Sequence, residues 1–154
     1  MYLAYLFVIA LLVCIDQYTK QIVITYLGIG EKLEIIPNLF YINHVRNTGA
    51  AWSLFDGQRT LFIIITILAV LGFSYLLFSK KENKLIIKIS YLLIIGGAIG
   101  NLIDRISYGF VIDFLDFYIF NYDYPVFNVA DIFLVIGVIL YFISIILENT
   151  NAKN

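Results

Sequence analysis

Between Gly96 and Asp131 five aspartates, Asp104, Asp113, Asp116, Asp123 and Asp131, share a stretch with Asn101, Arg105 and Asn128, beside some of the most apolar sequence in the chain. Ionisable groups next to hydrocarbon are costly, which marks them as candidates for function. Two carboxylates brought to one site cannot both ionise easily, so such a pair holds one proton. That state suits amide hydrolysis: the ionised carboxylate takes a proton from water, and the protonated one hydrogen-bonds the scissile carbonyl. The chemistry calls for no metal and no other cofactor. The one histidine, His44, and the one cysteine, Cys14, stand apart with no metal-ligand spacing, and His44 reads as a satisfied polar or interfacial residue. Ser53 and Ser107 have no motif linking them to a histidine or lysine, so a serine nucleophile is disfavoured.

Each carboxylate also has a plainer reading. Asn128 and Asp131, three apart, fit a helix N-cap followed by an acid in the first turn. Asp104 beside Arg105 could close a helix end as an ion pair. Asp123, between two tyrosines, fits a solvated loop, and either Asp113 or Asp116 could anchor a loop among Val111, Ile112, Phe114, Leu115 and Phe117. The residue types locate a polar cluster and leave open which pair would react.

The elements that must position this cluster are apolar. The 154 residues are 62% hydrophobic and 14% charged, which excludes a soluble globule and indicates one integral membrane domain over residues 1–154. A net charge of −1 gives no basic stripe for nucleic acid. Four spans are predicted, at about 3–27, 60–79, 85–103 and 129–148. In the first, Asp16 and Lys20 are four apart and share a helix face, where they tolerate burial as a pair. Residues 33–45, rich in β-branched and aromatic side chains, predict short strands on the membrane surface.

Lys80, Lys81, Lys84 and Lys88 surround the turn between the second and third spans and predict that this turn is cytoplasmic. Both termini are then cytoplasmic and both long loops face outward. Span three ends at Asn101, Asp104 and Arg105, and span four begins at Asn128 and Asp131. Asp16 lies ~22 Å along its helix at ~1.5 Å per residue, in the outer third of a core ~30 Å thick. The polar groups therefore converge at one depth, just beneath the outer surface. A small proton-coupled exporter using Asp16 is the rival reading, but it predicts a mid-membrane carboxylate and short loops.

Five ordered motifs resemble the lipoprotein signal peptidase family, also called signal peptidase II. They are Asp16-Gln17-x-Thr19-Lys20, Asn47-x-Gly49-Ala50-Ala51-Trp52, Gly97-x-x-Gly100-Asn101-x-x-Asp104-Arg105, Gly109-x-Val111-x-Asp113-Phe114 and Phe127-Asn128-x-Ala130-Asp131. The resemblance implies an aspartic endopeptidase of the bacterial inner membrane, with Asp113 and Asp131 as the catalytic dyad near the outer face. It implies that Asn47, Asn101, Arg105 and Asn128 line the site and hold substrate, and that Asp16, Lys20 and Asp104 support it. It implies an all-α membrane protein of four transmembrane helices, with an extracytoplasmic β-cradle between helices 1 and 2. The implied partners are diacylglyceryl-modified prolipoproteins, cut just before the lipidated cysteine, and membrane lipids, the enzyme acting as a monomer.

Overall fold

The computed structural model describes residues 2–49, 55–79, 84–120 and 122–151. The end of the second motif, Ala50-Ala51-Trp52, and Lys80 and Lys81 of the basic turn lie outside the described residues. Four helices are present: α1 (Tyr2–Tyr26), α2 (Arg59–Phe78), α3 (Leu85–Ser107) and α4 (Val129–Asn151). Each is long and apolar enough to cross a membrane. A helix of 20 residues at ~1.5 Å per residue matches a hydrocarbon core of ~30 Å.

The exposure pattern is that of a protein solvated by lipid. In α1 the buried residues are Asp16, Lys20 and Val23, whereas Leu3, Phe7 and Tyr18 are exposed. A water-soluble helix would reverse that order. The third helix is central: α1, α2 and α4 all pack on α3, while α2 and α4 scarcely touch each other. Leu77, Ile87, Tyr91, Leu92 and Ile95 form the apolar core at one end of the bundle. At the other end small residues bring helix backbones close. A Cβ on Gly97 would collide with the carbonyl oxygen of Ala130 in α4, and one on Gly100 would lie 2.5 Å from Asp16 Oδ2.

The loops supply an antiparallel sheet in the order β1 (Lys32–Ile36), β2 (Phe40–Asn47), β3 (Val111–Ile119), β4 (Tyr122–Asp123). The strands expected between the first two helices are present as β1 and β2. The loop before α4 contributes the other two, so the sheet joins both connections rather than belonging to the first alone. The physical reason is composition: Val111-Ile112-Asp113-Phe114-Leu115-Asp116-Phe117 is β-branched and aromatic, and both of its faces are covered.

A register shift between Ile42 and Val45 decides which β2 side chains face the site. Ile42 is opposite Leu115, and Val45, three residues on, is opposite Asp113. The extra residue reverses the alternation. It places Asn47, diagonal to Asp113, on the face of Asp113, whereas unbroken pairing would have placed Arg46 there. Beyond β4 the chain returns to β3 through paired backbone bonds between Leu115 and Phe127, at 2.8 and 3.1 Å. The start of α4 is thereby fastened two residues from Asp113.

Candidate active site

Asn128 and Asp131 open α4 with reciprocal capping bonds. The Asn128 side-chain oxygen accepts the Asp131 N–H at 3.0 Å, and the Asp131 carboxylate accepts the Asn128 N–H at 3.1 Å. The capping reading of these residues is therefore realised. It does not exhaust Asp131, whose second oxygen accepts Asn101 Nδ2 at 2.7 Å. Asp113, from β3, accepts Asn128 Nδ2 at 2.6 Å and Asn47 Nδ2 at 2.8 Å. Asp113 and Asp131 are thus both bonded to one residue, Asn128, which is wholly buried. Burial, and next the charge of Asp131, push the Asp113 carboxyl up to about 7. The amide donors Asn47 and Asn128 and the Lys20 ammonium pull the other way.

Behind this pair lies a closed ionic layer between α1 and α3. Lys20 Nζ donates to Asp16 Oδ2 at 2.8 Å and to Asn101 Oδ1 at 2.9 Å, and forms a second ion pair with Asp104 Oδ2 at 2.9 Å. Asp16 also accepts the Ala130 N–H at 3.0 Å, and Asp104 accepts the Ile112 N–H at 3.1 Å. The layer thereby fixes the entries to both α4 and β3. Gln17 closes it, donating to Asp16, to Asp104 and to the Gly100 carbonyl.

Asp104 and Arg105 do not form the ion pair that adjacency suggested, because neighbours on an α-helix point about 100° apart. Asp104 turns inward to Lys20, and Arg105 reaches across to the Gly49 carbonyl at 3.3 Å with its guanidinium 4.9 Å from the Phe62 ring. Asp116 faces away from Asp113, as residues three apart on a strand must. It pairs with Lys32 at 2.7 Å and accepts Asn43 Nδ2 at 3.0 Å, so of the two β3 aspartates it is the one that anchors the sheet. His44 is buried and its Nδ1 donates to the Leu27 carbonyl at 2.9 Å, closing the end of α1. Asp123 is exposed on β4. Among the described residues no group of three His, Cys, Asp or Glu side chains could hold a metal ion.

Asn47, Asn101, Arg105, Asp113 and Asp131 line one corner of a cavity of about 600 Å³. Its remaining wall is mostly apolar, with Ile65 and Ala69 from α2 and Leu134 and Val135 from α4. Sequence reasoning had assigned these wall residues no role, since nothing separates them from lipid-facing positions in an unbroken apolar run. Similarity to known proteins bears on what such a chamber does. Residues 8–147 match the family described as signal peptidase (SPase) II. The chain belongs to the signal peptidase II family. It is 42% identical over 142 residues to a lipoprotein signal peptidase of Staphylococcus aureus, covering 92% of this chain and 87% of that one. A protein of the same name from Staphylococcus aureus strain JH9 is 43% identical over 141 residues, covering 92% and 86%. Two solved structures of bacterial membrane enzymes, obtained in meso at 2.3 and 1.9 Å, share the fold. The first has TM-score 0.89 at 39% identity, over 96% of this chain and 90% of that one. The second has TM-score 0.83 at 40% identity, over 92% of each. As a signal peptidase II, the chain is a peptidase and a multi-pass bacterial membrane protein.

Proposed function

We propose that this signal peptidase II is an aspartic endopeptidase that removes signal peptides from diacylglyceryl-modified prolipoproteins, with Asp113 and Asp131 as its reacting pair. The observation that carries the reading is a buried carboxylate, Asp113, and a half-buried one, Asp131, sharing Asn128 at the polar corner of an apolar cavity. With one proton between them, the ionised carboxylate accepts a proton from a water lodged at the pair while that water's oxygen attacks the scissile carbonyl carbon. The protonated carboxylate gives its proton to the carbonyl oxygen, and a tetrahedral diol forms. The proton taken from water then passes to the leaving amide nitrogen, a hydroxyl of the diol returns its proton to the other carboxylate as the C–N bond breaks, and the pair again holds one proton.

Arg105 and Asn47 line the same corner, where they are placed to hold the extended backbone beside the lipobox cysteine. The apolar wall between α2 and α4 suits the signal-peptide helix and the acyl chains. A substrate whose cysteine carries diacylglyceryl has its scissile bond where acyl chains meet headgroups, the depth at which these polar groups converge. Cleavage falls immediately before that cysteine. The protein acts as a single domain and a monomer in the inner membrane, with both termini cytoplasmic and the sheet and active site toward the outer face. The exporter reading has no support: Asp16 is fully buried and bonded to Lys20, Gln17 and Ala130.

The test is to incubate the purified protein in detergent with a precursor bearing diacylglyceryl and with the same precursor unmodified. Release of signal peptide from the modified precursor alone is expected. No release, or equal release from both, contradicts the proposal.

A further inference from the structure

An asparagine side chain has two nearly isosteric ends, and a half-turn exchanges donor for acceptor at the cost only of its hydrogen bonds. Three asparagines present their N–H groups to the two carboxylates here, and none does so by its own nature. Each is held by a donor on its oxygen. The Gly49 N–H donates to Asn47 Oδ1 at 3.0 Å, and the Asp131 N–H donates to Asn128 Oδ1 at 3.0 Å. Both are backbone groups that can only donate. Asn101 differs. Its oxygen is held by Lys20 Nζ at 2.9 Å and by Asn128 Nδ2 at 3.0 Å, while its Nδ2 faces Asp131 at 2.7 Å. No backbone N–H donates to that oxygen, so its polarity rests on side chains.

We infer that Lys20, in the next layer out from the reacting pair, is a positioning residue whose task is to keep the Asn101 amide turned toward Asp131. The inference rests on the reading of Asp113 and Asp131 as the reacting pair. Its physical basis is what remains when the ammonium is removed. Asp16 Oδ2 and Asp104 Oδ2 both lie within 2.9 Å of Nζ, and Lys20 is only 1% exposed. Without the ammonium, two buried carboxylates lack a donor at the point where Asn101 Oδ1 now sits. They repel that oxygen and attract the amide N–H, so Asn101 turns over. Asp131 then faces an oxygen in place of a donor, and the bridge from Asn128 Nδ2 to Asn101 is lost with it. Lys20 bonds to neither member of the pair and does not line the cavity; beyond the pull of its charge on Asp113 and its part in the ionic layer, it acts on the pair through the Asn101 amide.

A merely structural role for Lys20 and this positioning role predict different kinetics. Lys20→Met, assayed per correctly folded enzyme, is expected to lower kcat about 100-fold, the scale of a reacting group displaced by ~1 Å, and to leave KM within about 3-fold. Asn101→Ala is expected to lower kcat to a similar degree. The double variant Lys20→Met/Asn101→Ala should be no worse than Asn101→Ala by more than about 3-fold, because residues acting as a unit do not contribute independently. Losses that multiply in the double variant would overturn the inference. So would a Lys20→Met enzyme that cleaves at the wild-type kcat. If Lys20→Met does not fold, Lys20→Gln, which keeps a neutral donor, enters the same cycle with a smaller loss and the same lack of multiplication. A measurement on the unmodified protein needs no Lys20 variant. The Asn101 side-chain amide resonances, assigned by their disappearance in Asn101→Ala, should shift as the pair titrates; resonances blind to that titration would contradict the orientation. Normal cleavage by Asp113→Asn and Asp131→Asn would instead refute the reading of the pair, whatever the cycle shows.

Discussion

The closest constraint on the geometry of the pair is the approach of α3 to α4 at Gly97, and Gly97→Ala tests it. A methyl carbon there would collide with the Ala130 carbonyl oxygen, and would lie 2.9 Å from Leu134 Cγ and 3.2 Å from Leu134 N, where ordinary contact begins at 3.4 Å. Two of these three atoms are backbone, so no side-chain rotation relieves the clash. The start of α4 must retreat by about 0.5–1 Å. That start carries Asp131, while Asp113 stays on β3, so the separation of the two carboxylates changes by a similar amount. A displacement of ~1 Å in a reacting group costs about 100-fold in rate. Overpacking costs about 1–3 kcal/mol, and the gain of about 1 kcal/mol from replacing a helical glycine by alanine offsets part of it. The variant should therefore fold, with a modestly lower Tm and kcat reduced about 100-fold. Gly72→Ala, whose Cβ meets nothing within 4 Å, is the matched control and should keep its activity. The assay is release of signal peptide from a lipidated precursor by each purified variant. Wild-type kcat in Gly97→Ala, with Tm unchanged, would refute the claim that this helix contact sets the spacing of the pair.

Two further predictions use the faces of β3. Asp113 has its carboxyl raised from 3.8 to about 7, chiefly by burial and then by Asp131. A raised value means that the folded state holds a proton the unfolded state has released. The resulting stability is present in full below about pH 4 and is lost as pH rises through about 7. Tm in detergent should accordingly fall between pH 4 and 7 in the wild type and fall less in Asp113→Asn; parallel curves would contradict this. On the opposite face, Lys32 pairs with Asp116 at 2.7 Å and lies over the rings of Tyr41 and Tyr118 at 4.1 and 4.2 Å. Lys32→Ala leaves Asp116 buried without its counter-charge. Because Lys32 is 30% exposed, the cost is placed at about 2 kcal/mol, below that of a fully buried pair. Tm should drop while kcat per folded enzyme stays at the wild-type value, and a lost kcat at unchanged Tm would show that Asp116 serves the reaction.

The four helices were legible because a run of about 20 apolar residues has few uses other than crossing a bilayer. The polar cluster was legible for the complementary reason, that charge is expensive there. The Asp16–Lys20 pair followed from helical spacing within one element. What joins Lys20 to Asp104 and Asn101 did not, since contacts between α1 and α3 depend on how two helices rotate against each other, and no local pattern records that rotation. The strand at 111–119 escaped notice because both its faces are covered and its two aspartates interrupt any alternation. Read as a strand, the odd spacing of Asp113 and Asp116 would have separated them at once, one toward the cavity and one toward Lys32. The bulge that turns Asn47 into the site has no signature in the composition of β2. Physical reasoning on the residues alone left five aspartates open, and the family motifs were what singled out Asp113 and Asp131.

The central claim is that these two carboxylates do the cutting. Its most direct test is single-turnover cleavage of a lipidated precursor by Asp113→Asn and, separately, Asp131→Asn, each shown to be folded by its melting transition. Each substitution keeps the side-chain shape and removes the ability to shuttle a proton, a contribution of about 100- to 10,000-fold for one general acid or base. A loss of at least that size in both variants, with the precursor still bound, is the predicted result. Cleavage near the wild-type rate by either one would contradict the account.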